Sequence, residues 1–134
     1  MGFKALKFSK LELPHYIRKI LIEKLKPLEG IDIVIVSSLS ENIFVIVPSE
    51  ENEVLISGER ISYLIYRIWR LLKNSKWDEM REIYIRGDNK GIIAIPFGNN
   101  EFFVAVIFNY PTNLSLINRS IKETLKELEN AIVG

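Results

Sequence analysis

The chain has 134 residues, 48% hydrophobic and 26% charged, with a net charge of +1, one histidine and no cysteine. That is the make-up of one soluble globular domain, large enough to bury about two-thirds of its unfolded surface without staples. Lack of cysteine excludes disulfides and thiolate chemistry and makes the cytoplasm the default compartment; no apolar run nears the ~18 residues of a membrane span, and the first residues lack a signal peptide's apolar core.

Residues 1–12 carry Phe3, Leu6, Phe8 and Leu11 in a broken alternation, which predicts an N-terminal arm or an extra edge strand. A helix is expected over 14–27. Pro14 suits a first turn, where its missing N–H is not needed, and Pro27 and Gly30 stop the helix. Ile17, Ile20, Leu21, Leu25 and Leu28 mark its buried face. The run from Ile31 to Val36 is apolar apart from Asp32, and 31–37 reads as a central strand covered on both faces. A turn around Asn42 leads to a return strand over 43–48.

An acidic connection over 49–57 contains Val54, Leu55 and Ile56. A helix is then expected over 58–74. Ile61, Leu64, Ile65, Ile68, Leu71 and Leu72 recur at helical spacing and predict one broad core-facing stripe. Beside it stand Tyr63, Tyr66 and Trp69, interleaved with Arg70 and Lys73. A helix that only covers a sheet shows water a polar back. This one offers a second, aromatic and basic surface of the composition found at interfaces. The plainer reading is that these rings widen the core stripe, with their polar tips in solvent.

Three more strands follow. Stretch 81–87 alternates, with Ile83 and Ile85 on one face and Glu82, Tyr84 and Arg86 on the other, as in a half-exposed edge strand. Gly87 and Gly91 bound a tight turn into a strand over 91–97. A second turn leads to a fully apolar, hence central, strand over 102–108. The last helix, 113–132, starts at a cap supplied by Thr112 or Asn113 and buries Leu114, Ile117, Ile121, Leu125, Leu128 and Ile132. The order is helix, two strands, helix, three strands, helix. It predicts a single α+β domain over 1–134: a five-stranded antiparallel sheet with helices on both faces, the first and last sharing one of them.

The residues for catalysis are missing. His15, in the first turn of a helix, reads as a surface residue. One histidine and no cysteine leave no Cys–His dyad and no Cys/His zinc cluster. Ser37, Ser38 and Ser40 have no partnered histidine pattern. The run from Gly87 to Gly91 joins strand to strand, whereas a phosphate loop opens a helix. No enzyme activity, cofactor or metal is expected. Tyr63, Tyr66, Arg67, Trp69, Arg70 and Lys73 are residue types that also stack bases and contact phosphates, but neutral net charge and the lack of a binding motif count against nucleic acid.

Three stretches resemble the roadblock family, the roadblock-type dynein light chains and their bacterial and archaeal relatives. Residues 30–49 look like the family's first hairpin, with Glu41-Asn42 where Asp-Gly is usual. Residues 83–97 look like its third and fourth strands. Residues 108–117 are similar to its strand-to-helix junction, where Asn113-Leu114-Ser115 stands for Asn-Leu-Gly. The resemblance covers 14–132. It implies a roadblock/longin-like fold and a homodimer, or a dimer with a paralogous subunit, joined through the middle helices and third strands. It further implies a non-catalytic scaffold or regulator, often of Ras-like small GTPases. The expected dimer interface is Tyr63, Tyr66, Trp69, Arg70, Lys73, Glu82, Tyr84 and Arg86, with Tyr66 and Trp69 as anchors. A small-molecule sensor of PAS or GAF type is the alternative, since it shares the sheet but encloses a cavity and has several short helices where one long helix is expected here.

Overall fold

The computed structural model describes residues 12–38, 43–48, 52–98 and 101–133. The expected N-terminal arm and the Glu41-Asn42 turn lie outside the described residues. The elements are α1 (Glu12–Lys24), β1 (Ile31–Ser38), β2 (Ile43–Val47), α2 (Asn52–Asn74), β3 (Ile83–Arg86), β4 (Lys90–Phe97), β5 (Phe102–Asn109) and α3 (Leu114–Val133). The strands form one five-stranded sheet in the order β2-β1-β5-β4-β3, antiparallel at every junction. β1 and β5, buried along nearly their whole length, are neighbouring inner strands with both faces covered, whereas β2, apolar throughout as Ile-Phe-Val-Ile-Val, lies at one edge.

Alternation along these strands separates two cores. Val34, Val36, Val104, Val106 and Phe108 meet Leu13, Ile17 and Leu21 of α1 and Ile117, Ile121 and Leu128 of α3. Ile33, Ile35, Ala105, Ile107 and Ala94 face the other way and meet Ile65 of α2. The first and last helices therefore share one face, and Lys24 reaches Glu127 at 3.5 Å across them. On the α2 face Ala94 pairs with Ala105, so small side chains lie beneath the helix. That second core is thin. Ile65 is the one large apolar side chain of α2 that is fully buried among the described residues.

Four expectations change. First, α2 starts at Asn52, six residues before 58. Gly58 looks like a helix start in the sequence, but it is buried inside the helix, and Val54 and Leu55 of the supposed connection pack on the second core. Second, Leu64 and Leu71 do not face the core; they are 45% and 60% exposed. Third, β3 is shorter than 81–87, because its pairing begins only at Ile83 opposite Ala94. Beyond that point β4 has β5 alone as a neighbour, which is where the sheet tolerates Pro96 and its missing donor. Fourth, α1 is Glu12–Lys24 rather than 14–27, with turns carrying the chain to Gly30, whose φ of 89° suits glycine.

The helix ends follow known chemistry. Asn113 caps α3, its Oδ1 accepting the Leu116 N–H at 3.0 Å. At the end of α2 the Trp77 N–H reaches the Leu72 carbonyl at 3.0 Å and Lys76 takes a left-handed φ of 55°, which is the Schellman pattern. It returns Trp77 towards Leu72, and the two line one hollow with Trp69 and Met80.

Candidate interaction surface

The expected interface residues fall into two groups that do not converge. Tyr63, Tyr66, Trp69, Arg70 and Lys73 lie on α2. Tyr84 and Arg86 lie on β3, an edge strand as the alternation predicts, on the sheet face away from α2. Glu82 is exposed just before β3.

On α2 the aromatics and cations form a regular row. Arg67 donates to the Tyr63 hydroxyl at 3.1 Å, and Arg70 to the Tyr66 hydroxyl at 2.8 Å. Each guanidinium also stands 5.7 Å from the centroid of the ring it serves, and the Lys73 ammonium stands 4.8 Å above Trp69. Tyr66 and Trp69 stack with centroids 6.4 Å apart. The cause is local. Residues four apart on a helix are neighbours, and the sequence puts a cation four places after each ring. Tyr63 is 62% exposed, while Tyr66 and Trp69 are half-buried. The row thus turns gradually from core margin to solvent.

Which side of α2 faces β3 follows from a groove of about 400 Å³. Its walls include Ser57 and Ile61 of α2, Ile85 of β3, and Gly91 and Ile92 of β4. Leu64, Ile68 and Leu71 continue from Ser57 and Ile61 at spacings of three and four, so all five share that side of the helix. The row Tyr63–Tyr66–Trp69 is on the opposite flank. Sequence reasoning merged the β3-facing stripe with the core. Its signal is the alternating four-three spacing through positions 57, 61, 64, 68 and 71, the pattern of a helix–helix seam. Ile61 and Ile68 are half-buried, and Leu64 and Leu71 stand out beside an edge strand whose other side has no strand partner among the described residues.

On the far face of β3 the Tyr84 and Tyr110 hydroxyls share a hydrogen bond, and the Arg86 guanidinium lies 4.6 Å from the centre of the Tyr110 ring. Tyr110 in turn meets Phe108 edge-on. The Tyr84 hydrogen bond holds the Tyr110 phenol above its usual value of 10.0; partial burial adds to this and Arg86 opposes it. A tyrosine whose folded value is raised stabilises the fold below pH 10.0, where the unfolded chain is still neutral, and this contribution is lost as pH rises through the folded value. Tyr84→Phe should therefore flatten the alkaline loss of stability in urea unfolding. Equal alkaline slopes for the variant and the wild type would count against the coupling.

The remaining candidates resolve simply. Gly87 to Gly91 is a hairpin turn, closed by Gly87 N–H to Lys90 O at 2.7 Å. His15 is exposed in the first turn of α1. Lys90 pairs with Asp32 at 2.9 Å on the rim of the groove, both substantially exposed, so the pair adds little to stability. Among the described residues no group of three or more His, Asp or Glu is placed to hold a metal. No helix among them is long and apolar enough to cross a membrane.

No family model matches the chain, and no curated protein matches it in sequence. Solved structures do match in three dimensions. MglB of Myxococcus xanthus is similar with a TM-score of 0.65 over 89% of this chain and 93% of that one, at 14% identity. The Roadblock/LC7 domain from Streptomyces avermitilis is similar with a TM-score of 0.68, covering 84% and 94%, at 8% identity. An MglB with tetrameric arrangement gives 0.68 over 98% and 97%, at 10% identity. At these identities the likeness is one of fold, and the chain has the roadblock fold.

Proposed function

We propose that this chain is a non-catalytic scaffold or regulatory module of the cytoplasm that works as a dimer and takes a Ras-like small GTPase as its partner. The observation that carries the dimer is the aliphatic stripe Ile61–Leu64–Ile68–Leu71 standing next to β3, whose outer edge has no strand partner among the described residues. Exposed leucines and an unpaired strand edge are both liabilities in water. A two-fold partner, either a second copy or a paralogous subunit, covers both with the same patch on each side. In this assignment β3 brings Tyr84 and Arg86 to the seam, with Glu82 just before it, and the anchors on α2 are leucines rather than Tyr66 and Trp69. The MglB with tetrameric arrangement supports self-association in this fold. The GTPase rests on the roadblock resemblance of residues 14–132, and the likeness to MglB and Roadblock/LC7 structures supports the fold behind that resemblance.

Light scattering should give twice the chain mass at tens of micromolar, as expected for an interface of roughly 1,200–2,000 Å². A monomer at that concentration would refute the dimer. Pulldown with purified Ras-like GTPases from the source organism tests the partner. Calorimetric titration with GTP and ATP should show no binding to the chain alone. Micromolar affinity for either nucleotide would give the chain a site of its own and end the scaffold reading.

A further inference from the structure

The aromatic–cation row of α2 occupies mainly the flank turned away from β3 and borders the seam just assigned at Leu71, which lines one hollow with Tyr63, Tyr66, Arg67 and Arg70. We propose that it is a second docking surface, and that its partner is an acidic amphipathic helix of another protein lying alongside α2. From Arg60 to Asn74 the helix carries four cations, Arg60, Arg67, Arg70 and Lys73, and no carboxylate. Three of the four are held by aromatic rings.

Helix polarity alone does not call for this arrangement. The macrodipole favours cations only within the last turn, where Lys73 stands, and Arg67 lies too early to benefit. The rings do something else: they fix each guanidinium in place. A planar fork stacked on a ring and bonded to one hydroxyl has lost most of its rotamer freedom already, yet keeps N–H donors for a carboxylate. The entropy cost of binding is then partly met in the free protein. Arg67, Arg70 and Lys73 rise along the axis by about 4.5 Å per step. Carboxylates three and four residues apart on a neighbouring helix recur about 5–6 Å apart, close to that repeat. Tyr63, at 62% exposure, supplies apolar area next to the charges.

The inference rests on the seam assignment only for the row being uncovered in the dimer. The test uses the full chain and a labelled helical peptide with glutamates at i, i+4 and i+7 beside leucines. Its controls are the same peptide with glutamines and a short single-stranded DNA. The acidic peptide should bind, weaken with added salt, and lose about tenfold or more in affinity for Arg67→Glu/Arg70→Glu. That variant should keep the wild-type circular dichroism and mass. No binding at about millimolar peptide, or an affinity unchanged by the two substitutions or by glutamine, would overturn the proposal. DNA binding as tightly as the peptide would reassign the row to phosphates. A variant that falls to monomer would return the row to the seam. A monomeric wild type that still binds the peptide would refute the dimer and leave this surface standing.

Discussion

Replacing Leu64 and Leu71 together by aspartate is expected to leave a folded monomer. Both side chains project from α2 on the β3 side, 45% and 60% exposed. Fully burying a leucine is worth about 1.5–3 kcal/mol, so covering these partly exposed ones contributes about 1 kcal/mol each, or about 4 kcal/mol over both copies. That alone is about a thousandfold in dissociation constant. Aspartate adds the cost of bringing a carboxylate to an apolar seam. The fold should survive, because neither leucine belongs to the buried core that holds α2 on the sheet. Light scattering and circular dichroism together decide the matter. A variant that stays dimeric at wild-type strength removes this stripe from the interface. Tyr66→Ala with Trp69→Ala is the matched control and should keep the dimer. If the control dissociates while the aspartate variant does not, the seam lies on the aromatic flank.

The sheet was legible because burial leaves a direct mark on strands. β1 and β5 are inner strands buried on both faces and β3 alternates at one edge, but β2, apolar throughout, lies at the other edge and carries no such mark. Gly87 to Gly91 and Asn113 announce a turn and a cap through chemistry that few other residues share. The face of α2 was harder to read. Its core stripe and its seam stripe share Ile61 and lie side by side on the helix, so a periodicity of three and four fits both. Which of them touches the sheet depends on contact, not spacing. Likewise the flank facing β3 is set by the order β2-β1-β5-β4-β3, a property of the sheet that no local pattern on α2 carries. Gly58 misled for a related reason. Glycine in a helix costs about 1 kcal/mol relative to alanine and often marks an end, but here it is buried within the helix.

Gly91→Ala is expected to destabilise the fold by about 1–2 kcal/mol, although alanine suits a strand better than glycine. A Cβ at this position would lie 2.6 Å from Phe108 Cζ, 2.8 Å from Cε2 and 3.0 Å from the Tyr110 hydroxyl. Phe108 is fully buried, so its ring has no solvent to move into. Reduced freedom of the unfolded chain returns about 0.4–1 kcal/mol, while overpacking a core costs about 1–3 kcal/mol, so the clash prevails. The effect should also reach the β3 edge. Gly91 pairs with Arg86, and the Tyr110 ring it accommodates is the one that Arg86 covers and Tyr84 bonds. Displacing Tyr110 should lower its alkaline transition towards that of an ordinary tyrosine. Gly87→Ala is the control: a Cβ there meets only the Lys90 carbonyl oxygen, at 3.2 Å and near the surface. Urea unfolding of both variants, with an ultraviolet tyrosine titration of each, provides the comparison. A Gly91→Ala protein as stable as the wild type would mean that Phe108 can give way, and that glycine at this position does not set the geometry of the β3 edge.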